Sequence, residues 1–516
     1  RSTLFPYTTL FRSTNLKLSF CRQRPAAGSR KGESLDKYLM LNRSYFQPQG
    51  MDNVRLVLTQ AEKDTQNNPL FHEDFFSDPP RGWEARYDNS YPNVIYDSKY
   101  GKYRCYYTLC SKDNDSAGAD KEERARRDYC PSPTRIASLA YAESDDGINW
   151  VKPNLGFVEF EGSRDNNMLF RFAHGTGVFL DEDETDPRKR YKMVTKVEYP
   201  GKKNYMAVNF SEDGVHWGEM IKWPRWNPPA DSHNLPFRDK QDGLFKVVTR
   251  IWKDGVRIEA ICSSPDFINW SAPHEIIRGS GFESQVYSMP VFWYDGIYLG
   301  LASMFHEGDR SAANFDTVDL ELTLGTTAER FDRIATDQYL IPRGDGHYPN
   351  GDFDCGCIFA APPLEMDNRL VFYYMGGNGQ HTNFRETSFA RAFLPKDRFA
   401  CYEPRDSRRE ATLPTQTFYA YGDDLAILAD VAEGGKISAA LCTNWRSEPF
   451  EGYGFADCVL TPRDDGYLTL RWKKPLTALE NAGFSIVFHF SGTKLFAMKG
   501  EITPQTSRYY EGAPIL

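Results

Sequence analysis

Several classes of protein are excluded by what the sequence lacks. No stretch approaches the roughly 20 consecutive apolar residues that a membrane-spanning helix needs, and P-loop, dinucleotide-binding, GxSxG and HExxH motifs are missing. Positive charge is in deficit, with 62 Lys and Arg against 71 Asp and Glu and a net charge of −9. Nucleic acid binding requires a basic surface, so it is not expected. The sequence indicates a soluble globular protein without a cofactor.

Metal-binding and disulfide patterns are also weak. The chain has ten cysteines and no CxxC pair, and Cys355 and Cys357 stand too close together for a usual zinc knuckle. We interpret the cysteines as isolated thiols, although the sequence leaves one or two disulfides and the redox compartment open. The acidic run Asp181–Asp186 is typical of a solvated hairpin tip. No metal site is therefore predicted.

The first residues do not read as native protein. The stretch Thr3–Ser13, "TLFPYTTLFRS", is what a common short-read sequencing adapter gives when it is translated. We interpret residues 1–13 as an assembly artefact on a metagenomic gene and exclude them from the fold prediction. The native start and any signal peptide could have been lost with them, so the compartment stays open.

Aromatic and turn-forming residues, by contrast, are abundant. The chain holds 35 Phe, 29 Tyr and 10 Trp together with 39 Gly and 31 Pro. Aromatic residues favour strands, and Gly and Pro favour the turns between them. With 516 residues, the chain is too long for one ordinary core, so two or more β-rich domains are expected.

A seven-residue motif occurs three times. The copies are "SDDGINW" at Ser144–Trp150, "SEDGVHW" at Ser211–Trp217 and "SPDFINW" at Ser264–Trp270. Each stands in a group of about four alternating strand patterns, and two further groups follow in which the motif has decayed. Five groups at spacings of roughly 50–70 residues predict a five-bladed β-propeller in which these motifs close the blades. The alternative is a β-sandwich array without radial symmetry.

The domain boundaries follow from this rhythm. Residues 14–83 are interpreted as a lead-in that packs on the propeller, with a helical piece around Glu33–Leu41. Residues 84–404 form the propeller, and "RFACYEP", Arg398–Pro404, is its last strand. Residues 405–516 alternate strongly without the motif, which predicts a C-terminal β-sandwich and tail. The predicted fold is all-β.

One segment carries a family resemblance. "DGINWVKPNLGFVEFEGSRDNN", Asp146–Asn167, and "ADSHNLPFRD", Ala230–Asp239, resemble a group of bacterial proteins labelled family-32-like or sialidase-like glycosyl hydrolases. The order of a propeller and a sandwich resembles glycoside hydrolase family 32, and the propeller also resembles that of family 43. The resemblance covers about residues 83–503. It implies a carbohydrate substrate and hydrolysis of a glycosidic bond.

Hydrolysis of that bond needs two carboxyl groups at the propeller centre, where the first strand of each blade begins. The resemblance implies Glu283 as general acid and Asp231 as the transition-state-stabilising acid, although the neighbours of Asp231 depart from the family pattern. In the first blade, Tyr91 and Pro92 replace the expected Asp-Pro pair. The base or nucleophile is therefore either Asp88 or Glu84, and the sequence does not choose between them.

Further polar and aromatic residues are expected near the centre for the same reason. His174 and His347 precede the first strands of the second and fifth blades, and Arg250 ends a strand of the third. The full set of predicted substrate-binding residues is His174, His233, Asn234, Arg250, Trp226, Tyr91 and His347.

The functional interpretation is an exo-acting glycoside hydrolase, and two rivals stay open. One is a non-catalytic glycan-binding propeller, which the missing Asp-Pro pair favours. The other is a lyase or phosphorylase that uses His174, His233 and Tyr91, although a phosphorylase needs a cationic phosphate pocket and the sequence shows no strong one. A sialidase would need an arginine cluster, for which only Arg86 and Arg250 stand in suitable places. The sugar, the linkage and the oligomeric state are left open.

Overall fold

A computed structural model describes residues 35–505 of the chain, so the interpretation of residues 1–13 lies outside the described part. The helices of the described part are two single α-helical turns, α1 (Asn114–Ala117) and α2 (Lys121–Arg124), and five 3-10 turns, Arg43–Tyr45, Pro48–Gly50, Pro187–Lys189, Phe455–Asp457 and Leu476–Leu479. The strands are β1 (Asp36–Leu39), β2 (Val54–Leu58), β3 (Glu62–Lys63), β4 (Phe71–His72), β5 (Asn93–Asp97), β6 (Lys102–Lys112), β7 (Ile136–Ser144), β8 (Trp150–Val151), β9 (Met168–Arg171), β10 (Ala173–Leu180), β11 (Tyr191–Val197), β12 (Tyr205–Ser211), β13 (Ile221–Lys222), β14 (Leu235–Arg238), β15 (Phe245–Lys253), β16 (Val256–Ser264), β17 (His274–Arg278), β18 (Ser284–Ser288), β19 (Val291–Tyr294), β20 (Ile297–His306), β21 (Val318–Thr327), β22 (Arg330–Arg333), β23 (Cys357–Ala360), β24 (Leu364–Met366), β25 (Arg369–Gly377), β26 (Thr387–Pro395), β27 (Ala400–Pro404), β28 (Ala411–Pro414), β29 (Phe418–Cys442), β30 (Val459–Pro462), β31 (Leu468–Arg471) and β32 (Ser485–Pro504). The all-β prediction is confirmed.

Five antiparallel groups of strands follow one another along the chain. Sheet 1 is β5–β8 with β9 added to β7, sheet 2 is β10–β13, and sheet 3 is β14–β17. Sheet 4 consists of β18–β22 and sheet 5 begins with β23–β26; a single parallel bridge, Val318 to Cys357, connects the two. Strand order within each sheet follows chain order, as it does in a propeller blade.

The five sheets pack on one another in a cyclic order. Separate apolar clusters join sheets 1 and 2, sheets 2 and 3, sheets 3 and 4, and sheets 4 and 5. A further cluster joins sheet 5 back to sheet 1, with Tyr373 and Val371 against Tyr107 and Cys105. This cyclic order is the one that a propeller of five blades requires.

The outer strand of sheet 5 comes from the N-terminal segment. β3 and β4 pair with β26 at Ala392–Phe393 and at Ser388–Phe389. The prediction that "RFACYEP" closes this sheet was wrong, because β27 pairs with β2 and β32 in the C-terminal sheet instead. The helix predicted around Glu33–Leu41 was also wrong: Asp36–Leu39 forms strand β1, which pairs with β32. Local alternation marks a strand without indicating its partner, which explains the first error.

The repeated motif forms the same turn in all three places. In the first copy, the Ser144 hydroxyl accepts a hydrogen bond from the Gly147 amide at 2.9 Å, and the Asp146 carboxylate accepts the amides of Ile148 and Asn149, each at 2.8 Å. The second copy repeats these bonds, and the third keeps those to its aspartate. Ser and Asp side chains that bind nearby amides stabilise such turns.

The motif's glycine also receives a side chain from the neighbouring sheet. The Tyr373 hydroxyl of sheet 5 donates to the Gly147 carbonyl at 2.9 Å, and the Tyr106 hydroxyl of sheet 1 donates to the Gly214 carbonyl at 2.9 Å. A Cβ atom at either glycine would lie 2.4 Å from that hydroxyl oxygen, and the φ angles are +70° and +78°. Glycine is required by both the close approach and the left-handed backbone.

The C-terminal strands form the β-sandwich. Its eight-stranded sheet is built around β29 and β32, whose pairing is interrupted by register shifts between Ala420 and Leu425 and between Val431 and Lys436. A separate apolar core packs on this sheet and includes Phe418, Phe488 and Met498, together with Tyr38 and Phe46 of the N-terminal segment. The C-terminal domain thus has a core of its own.

Two further observations concern the described part as a whole. None of its helices is long and apolar enough to span a membrane. Its nine cysteines are all free thiols, seven of them buried, and burial raises the pKa of the Cys357 thiol to about 12. The expectation of isolated thiols thus agrees with residues 35–505.

Asp397 connects the two domains. Its buried carboxylate accepts hydrogen bonds from the Lys37 ammonium at 2.8 Å and from the hydroxyls of Tyr294 and Tyr467, each at 2.7 Å. Burial favours the neutral acid, but Lys37 and Tyr467 outweigh it, so the pKa of Asp397 is lowered. The φ angle of Asp397 is +66°, a region that Asn also tolerates.

We expect Asp397→Asn to lower the free energy of unfolding by about 2 kcal/mol at neutral pH, since one charged acceptor with three donors is lost. Because the pKa of Asp397 is lowered on folding, the carboxylate stabilises the protein above the ordinary Asp pKa and progressively less as the pH falls. The difference between variant and wild type should therefore shrink in acid. Denaturant unfolding at neutral and acidic pH measures it. Asp367→Asn, at an exposed turn residue with φ of +54°, is the matched control and should change stability little.

Candidate functional site

The first strands of the five sheets meet at the centre of the ring. The Asn93 amide in β5 donates to the Thr176 carbonyl of β10 at 2.9 Å, and Thr176 forms a parallel bridge with Asn234 before β14. A buried aromatic cluster continues this contact to sheets 4 and 5 through Tyr91, Tyr287 and Phe359. We call the polar residues around this cluster the central site: Asp88, Tyr91, His174, Asp231, His233, Arg250, Tyr287, His381 and Arg385.

Asp231 is the most accessible carboxylate of the central site. Its side chain is 49 % exposed, and one oxygen accepts a hydrogen bond from Arg250 Nη2 at 2.8 Å. The other oxygen lies 3.7 Å from His174 Nδ1. Arg250 is only 2 % exposed, so a fixed cation holds Asp231 in one orientation while the carboxylate faces solvent.

His174 is held between two carboxylates. Its Nδ1 lies 3.1 Å from Glu198 Oε2, in addition to the contact with Asp231. Burial alone would lower the pKa of His174, but the hydrogen bond and the charge of Glu198 outweigh it and raise the pKa above its ordinary value. The same contact lowers the pKa of Glu198 to about 2 despite its burial. This pair can carry a proton near neutral pH.

His233 and Asn234 are buried and hydrogen-bonded within the protein. His233 Nε2 lies 2.9 Å from Asn93 Oδ1, and burial lowers the pKa of His233 to about 3, so the ring is neutral. Asn234 is fully buried and its amide donates to the carbonyls of Gly175, Ala230 and Ser232 at 2.8–3.2 Å. Of the segment Asp231–Asn234, only Asp231 combines a charge with high exposure.

Tyr91 lies inside the centre in place of the expected aspartate. Its ring stacks on His233 at a centroid distance of 5.7 Å, and its hydroxyl accepts a hydrogen bond from Asn89 at 3.0 Å. Burial raises the pKa of Tyr91 well above its ordinary value. The protonated hydroxyl is therefore poorly suited to act as a nucleophile.

Asp88 supplies a carboxylate three residues before Tyr91. It accepts hydrogen bonds from Arg385 Nη2 at 2.8 Å and from Arg86 Nε at 3.2 Å, and its side chain is 25 % exposed. Burial favours the neutral acid, but the charges of Arg385 and Arg86 outweigh it and hold the pKa of Asp88 well below its ordinary value. The segment turns sharply, with positive φ angles at Asp88, Ser90 and Tyr91. This loop carries an ionised acid into the centre without the Asp-Pro sequence.

Tyr287 joins the two carboxylate-arginine groups. Its ring lies 4.5 Å from the Arg250 guanidinium and 4.7 Å from the His381 ring. His381 belongs to the same loop as Arg385, whose side chain binds Asp88. Asp88 and Asp231 thus belong to one continuous arrangement in which each acid contacts a buried arginine.

Glu84, the alternative to Asp88, has a different environment. It is fully buried and accepts hydrogen bonds from Lys152 Nζ at 2.8 Å, the Tyr87 hydroxyl at 2.9 Å and the Asp74 amide at 2.8 Å. Burial raises its pKa although Lys152 opposes the shift. None of these partners belongs to the central site.

The remaining predicted residues are exposed and lie outside the central site. Glu283 is exposed immediately before β18, and its carbonyl accepts the Glu307 amide at 3.1 Å. Glu307 is paired with Arg257 at 2.8 Å, and Arg257 lies over the Tyr287 ring. Trp226 is 46 % exposed without a ring contact among residues 35–505. His347 is exposed on the lining of a separate cavity.

Three residues in or directly beside the central site were not predicted from the positions of the first strands. Glu198, His381 and Arg385 follow the second strands of their sheets, in the loops between β11 and β12 and between β25 and β26. In an antiparallel sheet that loop returns to the end at which the first strand begins, and this topological rule could have identified them.

A fourth residue, Glu259, pairs in register with Arg250 and is fully buried with neither carboxyl oxygen hydrogen-bonded. Burial raises its pKa strongly.

One acidic group has metal-ligand spacing within the described residues. Asp239, Asp242 and Glu329 bring their oxygens within 4.8 Å of one another. The Lys246 ammonium lies among them, 2.6 Å from Glu329 and 3.0 Å from Asp242. A lysine thus already provides the cation at this position.

Comparison with known proteins gives structural likenesses at low identity. No protein-family model matches the chain, and no curated protein matches it in sequence. A glycosyl hydrolase from Bacteroides ovatus is 14% identical, with a TM-score of 0.44 over 66% of this chain and 95% of the other. A β-1,2-mannobiose phosphorylase from Listeria innocua is 14% identical, with a TM-score of 0.45 over 65% and 97%. A fructofuranosidase from Schwanniomyces occidentalis is 12% identical, with a TM-score of 0.38 over 87% and 100%. No family assignment follows from these matches.

The His174–Glu198 contact gives a titration that can be measured. In the wild type we expect His174 to titrate above the ordinary histidine pKa, because the Glu198 charge stabilises the imidazolium. Glu198→Gln removes that charge and leaves the effect of burial, so the pKa of His174 should fall by one unit or more. NMR detection of the imidazole protons measures it. The signal of His216, whose ring contacts Asp213 and Phe157, should not change. An unchanged His174 titration in the variant would contradict the assignment.

Proposed function

We propose that the chain is a carbohydrate-active enzyme that hydrolyses a glycosidic bond at the centre of a five-bladed propeller. The observation that carries the proposal is the arrangement of Asp88 and Asp231, two partly exposed carboxylates that each contact a buried arginine. Tyr287 and His381 connect the two arginine groups. Paired carboxylates are the feature that glycoside hydrolysis requires.

The surroundings of each acid support a division of roles. Asp88 stays ionised because of Arg385 and Arg86, which suits a nucleophile or a base that activates water. Asp231 would face the positive charge that develops on the sugar ring, while Arg250 fixes its orientation. Glu283 would protonate the leaving oxygen. Its side chain has no salt bridge or side-chain hydrogen bond among residues 35–505, so it can reorient to meet a substrate.

The shape of the site supports action at a chain end. The aromatic cluster of Tyr91, Tyr287 and Phe359 is buried at the centre, while the side chains of Asp88 and Asp231 are partly exposed. We infer that the cluster closes the site on one side, so that a terminal sugar could enter, whereas an internal segment of a long chain would need an open groove. We therefore propose exo-acting hydrolysis.

We expect Asp88→Asn, Asp231→Asn and Glu283→Gln each to lower kcat/KM by on the order of 10²-fold or more, because each removes a charge or proton used in the transition state. Release of sugar from a panel of oligosaccharides and aryl glycosides measures this effect. Far-ultraviolet circular dichroism and thermal melting confirm that each variant is folded. Glu212→Gln, in the exposed turn that closes sheet 2, is the control and should retain full activity.

The outcomes separate the proposal from its rivals. Full activity in both Asp88→Asn and Asp231→Asn would reject the central site as the catalytic centre. Glycan binding without turnover on any substrate would identify a non-catalytic binding protein. Turnover that requires added inorganic phosphate and yields a sugar phosphate would identify a phosphorylase.

A further inference from the structure

A separate cavity of about 660 Å³ lies beside the central site. Its lining comes from the loops between β6 and β7, β20 and β21, and β25 and β26, together with the segment between β22 and β23. The loop between β25 and β26 also carries His381 and Arg385 of the central site, and its Asn383 carbonyl accepts Arg86 at 3.0 Å. One loop thus forms a wall of the cavity and part of the centre.

The lining of this cavity is rich in arginine. Its charged residues are Arg124, Arg126, Arg127, Arg310, Arg343 and Asp128. Five guanidinium groups and one carboxylate thus line it, in a chain whose net charge is −9. A guanidinium group that no neighbouring acid neutralises attracts anions.

Not all of these arginines are neutralised by neighbouring acids. Arg343 pairs with Asp319 at 2.8 Å, Arg127 with Asp115 at 2.8 Å, and Arg124 with Glu386 at 3.5 Å. Arg126 pairs only with the exposed Glu122, at 3.2 Å, and Arg310 has no salt bridge or side-chain hydrogen bond among residues 35–505. The cavity therefore retains one guanidinium group, that of Arg310, without an acidic partner among residues 35–505, and a second, that of Arg126, whose one partner is an exposed acid.

The cavity also offers surfaces that suit a sugar. Gln380, Asn378 and Tyr348 contribute amide and hydroxyl groups to the lining, while Phe315 and Phe384 contribute aromatic rings. Volumes of about 300–1,000 Å³ are typical of sites for organic ligands, so the cavity can hold more than a single inorganic anion. Guanidinium groups bind carboxylate and sulfate oxygens through paired N–H donors.

We propose that this cavity binds the acidic part of the glycan, namely sugars that carry sulfate or carboxylate groups. The inference rests on the proposed function, since it names the substrate class of the same enzyme. The neutral terminal sugar would occupy the central site, and the acidic sugars would extend over the loop between β25 and β26 into the cavity. Arg310 and Arg126 would bind their anionic groups.

A binding experiment tests the proposal without turnover. The probes are dextran sulfate oligosaccharides, oligogalacturonates and neutral dextran oligosaccharides of equal length, with inorganic phosphate as a fourth ligand. Titration calorimetry with the full chain gives Kd at low salt and near 0.15 M salt, where screening weakens exposed charge pairs. We expect at least one acidic probe to bind about tenfold or more tightly than the neutral one, and the difference to shrink as salt rises.

Variants locate the binding to the cavity. Arg310→Gln should weaken acidic-probe binding about tenfold, as expected for a lost charged hydrogen bond, and Arg126→Gln with Arg310→Gln should weaken it further. Arg330→Gln makes the same change of charge at an exposed residue of the hairpin between β21 and β22. This hairpin lies at the opposite end of β21 from the loop between β20 and β21, so the substitution should have no such effect. All three substitutions are at exposed side chains, so folding should be preserved.

Other binding results would overturn the inference. Equal affinity for neutral and acidic probes, or equal weakening by Arg310→Gln and Arg330→Gln, would show that the cavity does not select acidic sugars. Binding of inorganic phosphate in the cavity without acidic-glycan binding would identify a phosphate site instead. If acidic probes bind as expected but no glycosidic bond is cleaved, the proposed hydrolysis fails while the binding inference stands.

Discussion

The closure of the ring by the N-terminal segment is the constraint on which the rest of the structure depends. The Lys152 ammonium of sheet 1 donates to Asp74 at 2.7 Å, to Glu84 at 2.8 Å and to the His72 carbonyl at 2.8 Å. His72 belongs to β4, the strand that completes sheet 5. The buried Lys152 ammonium therefore connects the N-terminal segment, which supplies the outer strands of sheet 5, to sheet 1. Removing one partner of such a group leaves an uncompensated buried charge, which destabilises strongly.

The central site exists only because the ring is closed. Its carboxylates come from sheets 1 and 3, and the side chains between them come from sheets 4 and 5. Arg385 belongs to the sheet that receives the N-terminal strands, and it binds Asp88 of sheet 1 at 2.8 Å. The charged pair thus spans the junction at which the ring closes. Charges that the fold holds in place before substrate binds need little reorganisation during the reaction.

The sequence predicted the features that local chemistry encodes. The Ser-x-Asp turns were recognised because their hydrogen bonds join residues within a few positions of one another. Asp231 was proposed from the family resemblance and from its place before a first strand, and its role stays a prediction. Long-range pairings were not recognisable in this way. The partners of β3, β4 and β27 lie hundreds of residues away. The alternation of polar and apolar residues therefore predicted the strands but not the sheets to which they belong. Glu84 was considered as a catalytic acid because it is one of the two acids nearest to Tyr91 and Pro92, and its pairing with the distant Lys152 is not recognisable in the sequence.

The distribution of charge in the central site could likewise not be predicted from the composition. A net charge of −9 describes an average, whereas Arg86, Arg250 and Arg385 are almost completely buried around two carboxylates. Burying an arginine costs free energy unless an acid is paired with it, so these acids and arginines require one another. The pairing with Arg385 and Arg86 lowers the pKa of Asp88, whereas Glu283 has no salt bridge among residues 35–505. This difference in surroundings agrees with the separate roles proposed for the two acids.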